Sequence, residues 1–201
     1  MAPSNGLFLH LVILPIFSSR SSRRSSKSSV ERSTLSSYIR MFEPVVIRAL
    51  KHYTITSHIE QQSQVLKLLS QLVQLRVNYC LLDSDQIFVT FVLKQLSLIE
   101  EGQMQKAPCL IPDMFKFLVL LSYEKYHSKP IIDVPKILHL CEGLFASGQS
   151  AETFVMPALI PVAEDLFCSR TSSDPASELE AQREVMLTML IKLLPYSQVQ
   201  D

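Results

Sequence analysis

The chain has 201 residues, 47% of them apolar, with 19 basic and 19 acidic side chains and a formal net charge of zero. That length suits one domain with room for a sizeable core, and the even charge balance excludes a protein built mainly to bind nucleic acid, which demands a positive field. Four glycines are too few for a β-sandwich full of tight turns, and no glycine-rich phosphate loop is present.

Residues 1–39 differ in texture from the rest. Leu7 to Phe17, "LFLHLVILPIF", is an apolar run of 11 residues, well short of the ~20 that cross a bilayer. Its length suits a signal peptide, but the basic residues follow it and no A-x-A cleavage site is visible. Ser18 to Ser37 then holds 11 serines and five basic residues. Such a stretch has little to bury and is expected to be disordered. "RRSS" at Arg23–Ser26 has the pattern read by basophilic kinases.

From Arg40 onward helix follows helix, so the chain divides into residues 1–39 and a helical domain over residues 40–201. "FEPVVIRALKHY" places Pro44 in a first helical turn, with Glu43 suited to the dipole there. Val46, Ile47 and Leu50 recur at helical spacing. Ile59 to Leu75 carries a stripe of Val65, Leu68, Leu69, Leu72 and Val73, widened by Leu66, with the breadth of a core-facing helix. "SDQIFVTFVLKQLSLIEEG" ends at Gly102, a residue suited to the position just past a helix end. The next helix begins near Pro112 and closes with Lys125 and His127, and another runs from Pro135 toward Gly148. Pro157 and Pro161 fall inside an apolar helical pattern and predict a bent helix. Asp174 and Pro175 form a turn before a last helix through Leu194. The sum is an all-α chain of about seven helices with no convincing strand; "IIDV", Ile131–Val134, is β-prone but short. Paired consecutively, the helices give units near residues 42–80, 83–127 and 134–170 and a final helix. These spans are close to the ~40–47 residues of a HEAT repeat, so an α-solenoid of antiparallel helix pairs is expected.

"DSDQ" beside Cys80 is the one stretch that resembles a ligand cluster. A calcium loop starting at Asp83 would place Asp85 at its third position, but Ile87, Phe88 and Lys94 fill the fifth, sixth and twelfth, where oxygen, glycine and glutamate are needed. His139 and Cys141, two apart, lie on different sides of a helix and suit no zinc site. Cys80, Cys109, Cys141 and Cys168 contain no pair closer than 27 residues and read as free thiols of a reduced protein. G-x-S-x-G, Walker and G-x-G-x-x-G patterns are all absent, and His52, His58 and His127 are explained by helix ends. The reading is therefore no catalytic residue, no metal ligand and no cofactor site. Asp83 is expected to cap the following helix, with Gln86 returning the bond and Leu82 and Ile87 forming a hydrophobic staple.

"QLVQLRVNYCLLDSDQIF", Gln71 to Phe88, closely resembles the huntingtin family. So do "FEPVVIRALKHYT", "FVLKQL", "FLVLLSYEKYHSK" and "EVMLTMLIKLL", in the same order across roughly residues 40–198. The stretch resembles part of that family's C-terminal HEAT region, while residues 1–39 match nothing there. The family's polyglutamine and proline-rich segments are not in the sequence. The resemblance implies a non-enzymatic scaffold that supports vesicle transport, motor-adaptor assembly and autophagy. Implied partners are a helical huntingtin-associated protein, motor adaptors and neighbouring HEAT repeats of a longer chain. Nucleic acid, a membrane span and a small-molecule substrate are not implied; the cytoplasm is the expected compartment, with the nucleus as a second. The alternative is a stand-alone helical regulatory protein led by a secretory or membrane-anchoring N-terminus. Apolar surface is expected to lie open at Phe42–Leu50 and Val185–Leu194.

Overall fold

A computed structural model describes the backbone of residues 28–104, 108–170 and 176–197, and side chains within residues 41–104, 108–170 and 178–194. The helices are α1 (Ser28–Ile55), α2 (Ile59–Gln74), a single turn α3 (Tyr79–Leu82), α4 (Ile87–Glu100), α5 (Ile111–Leu121), α6 (Val134–Ala146), α7 (Met156–Glu164) and α8 (Ala176–Ser197). The seven expected helices are all present, and α3 is one more. The apolar run Leu7–Phe17, "RRSS" and the Asp174–Pro175 turn lie outside the described residues.

Helix α1 starts earlier than composition suggests. It begins at Ser28 and runs through Pro44, so residues 28–39 are helical where disorder is expected, and Pro44 sits inside the helix rather than in its first turn. The overlooked signal is spacing: Leu35, Tyr38, Ile39, Phe42 and Val46 recur at i, i+3, i+4, i+7 and i+11, the helical rhythm beneath a serine-rich composition.

The chain forms two compact units that meet after Arg48, within α1. In the first, Val46 is buried while Met41 and Val45 are exposed. The second, residues 49–201, holds the repeats. Here α2 packs on α5 and α5 on α7, while α4 packs on α6 and α6 on α8. These are two rows of helices. Tyr53 at the end of α1 joins the second row by its edge-on contacts with Phe88 and Phe91 of α4. Within this unit the end of α1 meets α2 through Gln62, α4 meets α5 through Phe88 and Phe117 and α6 packs on α7, followed by α8. This is an all-α, HEAT-like arrangement.

Aromatic rings connect the rows. Tyr53, Phe88, Phe117 and Tyr79 form a chain of edge-on contacts with centroid separations of 4.9, 5.9 and 5.6 Å, a geometry that suits the ring quadrupole. All four are at most 2% exposed. In α2 the buried face centres on Gln62, Leu66, Leu69 and Val73, one step round from the expected stripe. Gln62 is drawn inward because its amide donates to the carbonyls of Tyr53 and Thr56 at 3.2 and 3.1 Å, meeting the otherwise unpaired end of α1.

The helix ends follow local chemistry. Gly102 has φ +72°, and the amides of Gly102 and Gln103 reach back to the carbonyls of Ile99 and Leu98, as the left-handed C-terminal motif requires. Pro112 falls in the first turn of α5 as expected. Asp133 caps α6 by accepting from the Lys136 amide at 2.9 Å. Helix α5 stops at Leu121, so Lys125 and His127 do not close it. They belong instead to a small antiparallel hairpin, β1 (Lys125–Tyr126) and β2 (Lys129–Pro130), which the sequence reading did not expect. His127 and Ser128 form its tip with positive φ, the twist that two-residue hairpins favour. Pro157 and Pro161 both lie within α7, which is flanked by π-helical turns at 151–155 and 165–169.

Candidate interaction site

Asp83 does cap α4, but not by the expected box. Its Oδ1 accepts from the Phe88 amide at 3.0 Å and its Oδ2 from the Val89 amide at 3.1 Å. Oδ2 also accepts from the Tyr79 hydroxyl at 2.7 Å. Gln86 returns no side-chain cap and instead sits in the left-handed region at φ 53°. Ile87 is 66% exposed, so the expected staple is replaced by Phe88 and Val89, which turn inward. The left-handed step at Gln86 causes both departures: it swings the chain so that the helix amides face a carboxylate further upstream. Asp83→Ala strips three bonds from a buried site at once. The expected loss is about 2–4 kcal/mol, above the ~1 of a surface cap, while Tyr79→Phe costs about 1 kcal/mol; urea denaturation of both variants checks the order.

Of the four cysteines, Cys109 and Cys168 are exposed, while Cys80 and Cys141 sit in surroundings that disfavour the thiolate. Cys80 donates to the Lys125 carbonyl at 3.7 Å, and burial, then the Glu124 charge, pushes its thiol up. Cys141 is fully buried and its thiol is pushed up by that burial. Both are therefore held protonated, the unreactive form. His139 points outward toward Glu142 at 3.7 Å, away from Cys141. Among the described residues no group of three His, Cys, Asp or Glu side chains could hold a metal ion. No helix among them is long and apolar enough to cross a membrane.

A polar joint ties the end of α5 to the ends of α7 and α8, and sequence reading missed it. Tyr123 donates to Asp165 Oδ1 at 2.6 Å. Arg170 Nε donates to Asp165 Oδ2 at 2.8 Å, and its Nη2 to Ser122 Oγ at 2.7 Å. The Arg170 guanidinium also lies 4.4 Å from the Tyr123 ring centre. From α8, Arg183 donates to the carbonyls of Leu166 and Arg170 at 2.9 and 3.3 Å. Asp165, 6% exposed, is thus a buried charge with full partners, the condition that makes such burial tolerable. The acid and Arg170 are five apart in "DLFCSR", which is visible; Tyr123 lies 42 residues from Asp165, which only the fold reveals.

Three tyrosines resist ionisation. Burial, and then Asp113 for Tyr53 or Asp83 for Tyr79, raises their hydroxyls. Tyr123 is pushed up to about 12, first by burial and then by Asp165, with Arg170 opposing. A raised value means the folded state holds its proton longer than the unfolded chain does. The associated stability is complete below pH 10.0 and is lost as pH climbs through about 12. Alkaline titration should therefore show these phenolates appearing together with loss of helical circular dichroism. A smooth rise in their absorbance, with helicity intact, would contradict this.

Several large apolar side chains lie open on the surface. On α7, Met156, Ile160 and the following Phe167 are 38%, 50% and 41% exposed. On α8, Val185, Leu187, Ile191 and Leu194 are 39–63% exposed, where an open apolar face is expected. Leu187, Ile191 and Leu194 share one side of α8 by their helical spacing.

Two stacked rows of helices, held by a buried polar joint and carrying exposed apolar side chains, define a helical-repeat scaffold. The match to known proteins is narrower: residues 17–201 fit the family model described as Huntingtin, N-terminal HEAT. Huntingtin of Takifugu rubripes is 55% identical over 171 residues, 84% of this chain and 5% of that protein. The chain belongs to the huntingtin N-terminal HEAT family. It spans about 5% of the length of the curated relative it matches. The expected placement in the C-terminal HEAT region is thereby corrected. Helix spacing, caps and apolar stripes are common to repeats throughout a long solenoid, so they do not fix a position along it.

Proposed function

We propose that this chain is a non-enzymatic scaffold segment that holds partner proteins on helix faces and inter-helix loops. Vesicle transport, motor-adaptor assembly and autophagy are the processes it would serve, in the cytoplasm and the nucleus. Its partners would be a helical huntingtin-associated protein, motor adaptors and neighbouring HEAT repeats. The observation that carries this reading is the set of apolar side chains left open on two helices, Met156 and Ile160 on α7 and Leu187 and Ile191 on α8, all 38–63% exposed. Single exposed apolar residues are ordinary, but several on one helix face support a contact surface.

The test uses the tagged chain in cell extract beside an Ile160→Glu/Ile191→Glu variant. Both sites are half or more exposed, so the variant should melt within about 2 °C of the parent. The parent should co-sediment with vesicles and motor adaptors, and the variant should lose most of that association. Equal recovery of parent and variant would remove these two helix surfaces from the function; absence of both from the vesicle fraction would remove the transport role. Light scattering should also show the purified parent self-associating more than the variant.

A further inference from the structure

We propose that Tyr123 is a tyrosine-phosphorylation site, and that phosphate there opens the joint between α5, the turn after α7, and α8. Three observations converge on this residue. Tyr123 is 46% exposed. It follows the end of α5, where the chain has already left the helix and leads into the β1–β2 hairpin, so a kinase cleft has little regular structure to unwind. Tyr53 and Tyr79, at 0% and 1% exposure, are enclosed, and Tyr126 is half-buried. Tyr123 is therefore the most accessible tyrosine among the described side chains.

Its hydroxyl is also the atom on which the joint depends. In the transfer step Tyr123 Oη attacks the γ-phosphorus of ATP held by a protein tyrosine kinase. The Oη–P bond forms, the bond from the γ-phosphorus to the bridging oxygen breaks, and ADP leaves. The phenolic proton passes to a carboxylate of the kinase. A hydrogen-bond donor 2.6 Å from Asp165 becomes a group of nearly two negative charges, which Asp165 cannot accept from and which it repels. The nearest cation is Arg170, already 4.4 Å from the ring centre. Guanidinium pairs with phosphate through two parallel hydrogen bonds, so Arg170 is drawn off Asp165 and Ser122. Asp165, 6% exposed, then has neither partner. The turn it closes with Arg170 loosens, and with it the two carbonyls to which Arg183 of α8 is fastened.

The experiment treats the 201-residue chain with ATP and a panel of purified receptor and cytosolic tyrosine kinases. Sites are mapped by tandem mass spectrometry and the products are melted. Tyr123 is expected to take phosphate, and the modified chain to melt lower by about 5 °C. Asp165→Asn keeps an acceptor oxygen but removes the charge, so phosphate should lower its melting point less. Tyr123→Phe keeps the ring under Arg170 and should show no kinase-dependent shift. An unlabelled Tyr123 across the whole panel, or a labelled chain that melts like the unlabelled one, overturns the proposal. Both of those readouts use the parent sequence and do not depend on any variant folding.

Discussion

Asp165→Ala is expected to lower stability by about 3–5 kcal/mol, the range found when one partner of a buried ion pair is removed. The size follows from what is left behind. Arg170, with 21% of its side chain exposed, would keep Ser122 but lose its counter-charge, and the Tyr123 hydroxyl would lose its acceptor. Part of the total belongs to the abandoned groups rather than to the bond itself, and a double-mutant cycle separates the two. Asp165→Ala and Arg170→Ala together should cost clearly less than the sum of the single losses. Additive losses, measured by urea denaturation, would mean that the two side chains act independently despite their 2.8 Å contact.

Phe88→Ala is expected to cost about 3–5 kcal/mol, the range for removing a large aromatic ring from a packed core. Phe88 is 2% exposed and touches both Tyr53 and Phe117. It therefore joins the end of α1 to α4, and α4 to α5. Phe88→Leu refills much of the volume and should recover about half of the loss. Ile87→Ala, one residue away but 66% exposed, should change stability by less than about 0.5 kcal/mol. A large effect at Ile87 would restore the expected staple and contradict the inward turn of Phe88 and Val89.

The helices from Ile59 onward were legible because their apolar residues recur at a helical period and because Gly102, Pro112 and Pro135 mark their ends. Residues 28–39 were hidden because serine-rich composition obscured the spacing of Leu35, Ile39 and Phe42. Asp83 was recognisable as a cap from its type and place. Its bonding pattern was not, because the left-handed step at Gln86 is a backbone choice that no side chain announces. The joint at Asp165 is only partly legible: Asp165 and Arg170 are near in sequence, but Ser122, Tyr123 and Arg183 come from distant segments that only the fold brings together. Position along the solenoid was misread because adjoining and distant repeats use one grammar.

The placement of α5 determines how the second unit comes apart. It has α2 on one side, α7 on the other and α6 behind, and of its eleven residues only Lys116 is classed as exposed. In a stack held by nearest neighbours, loss of an end element leaves the others largely intact, whereas loss of a middle one severs the row. Damage confined to α8 should therefore fray one edge and stop there. Damage to α5 should divide a single cooperative transition into two smaller ones, with α2 and α7 melting as strangers.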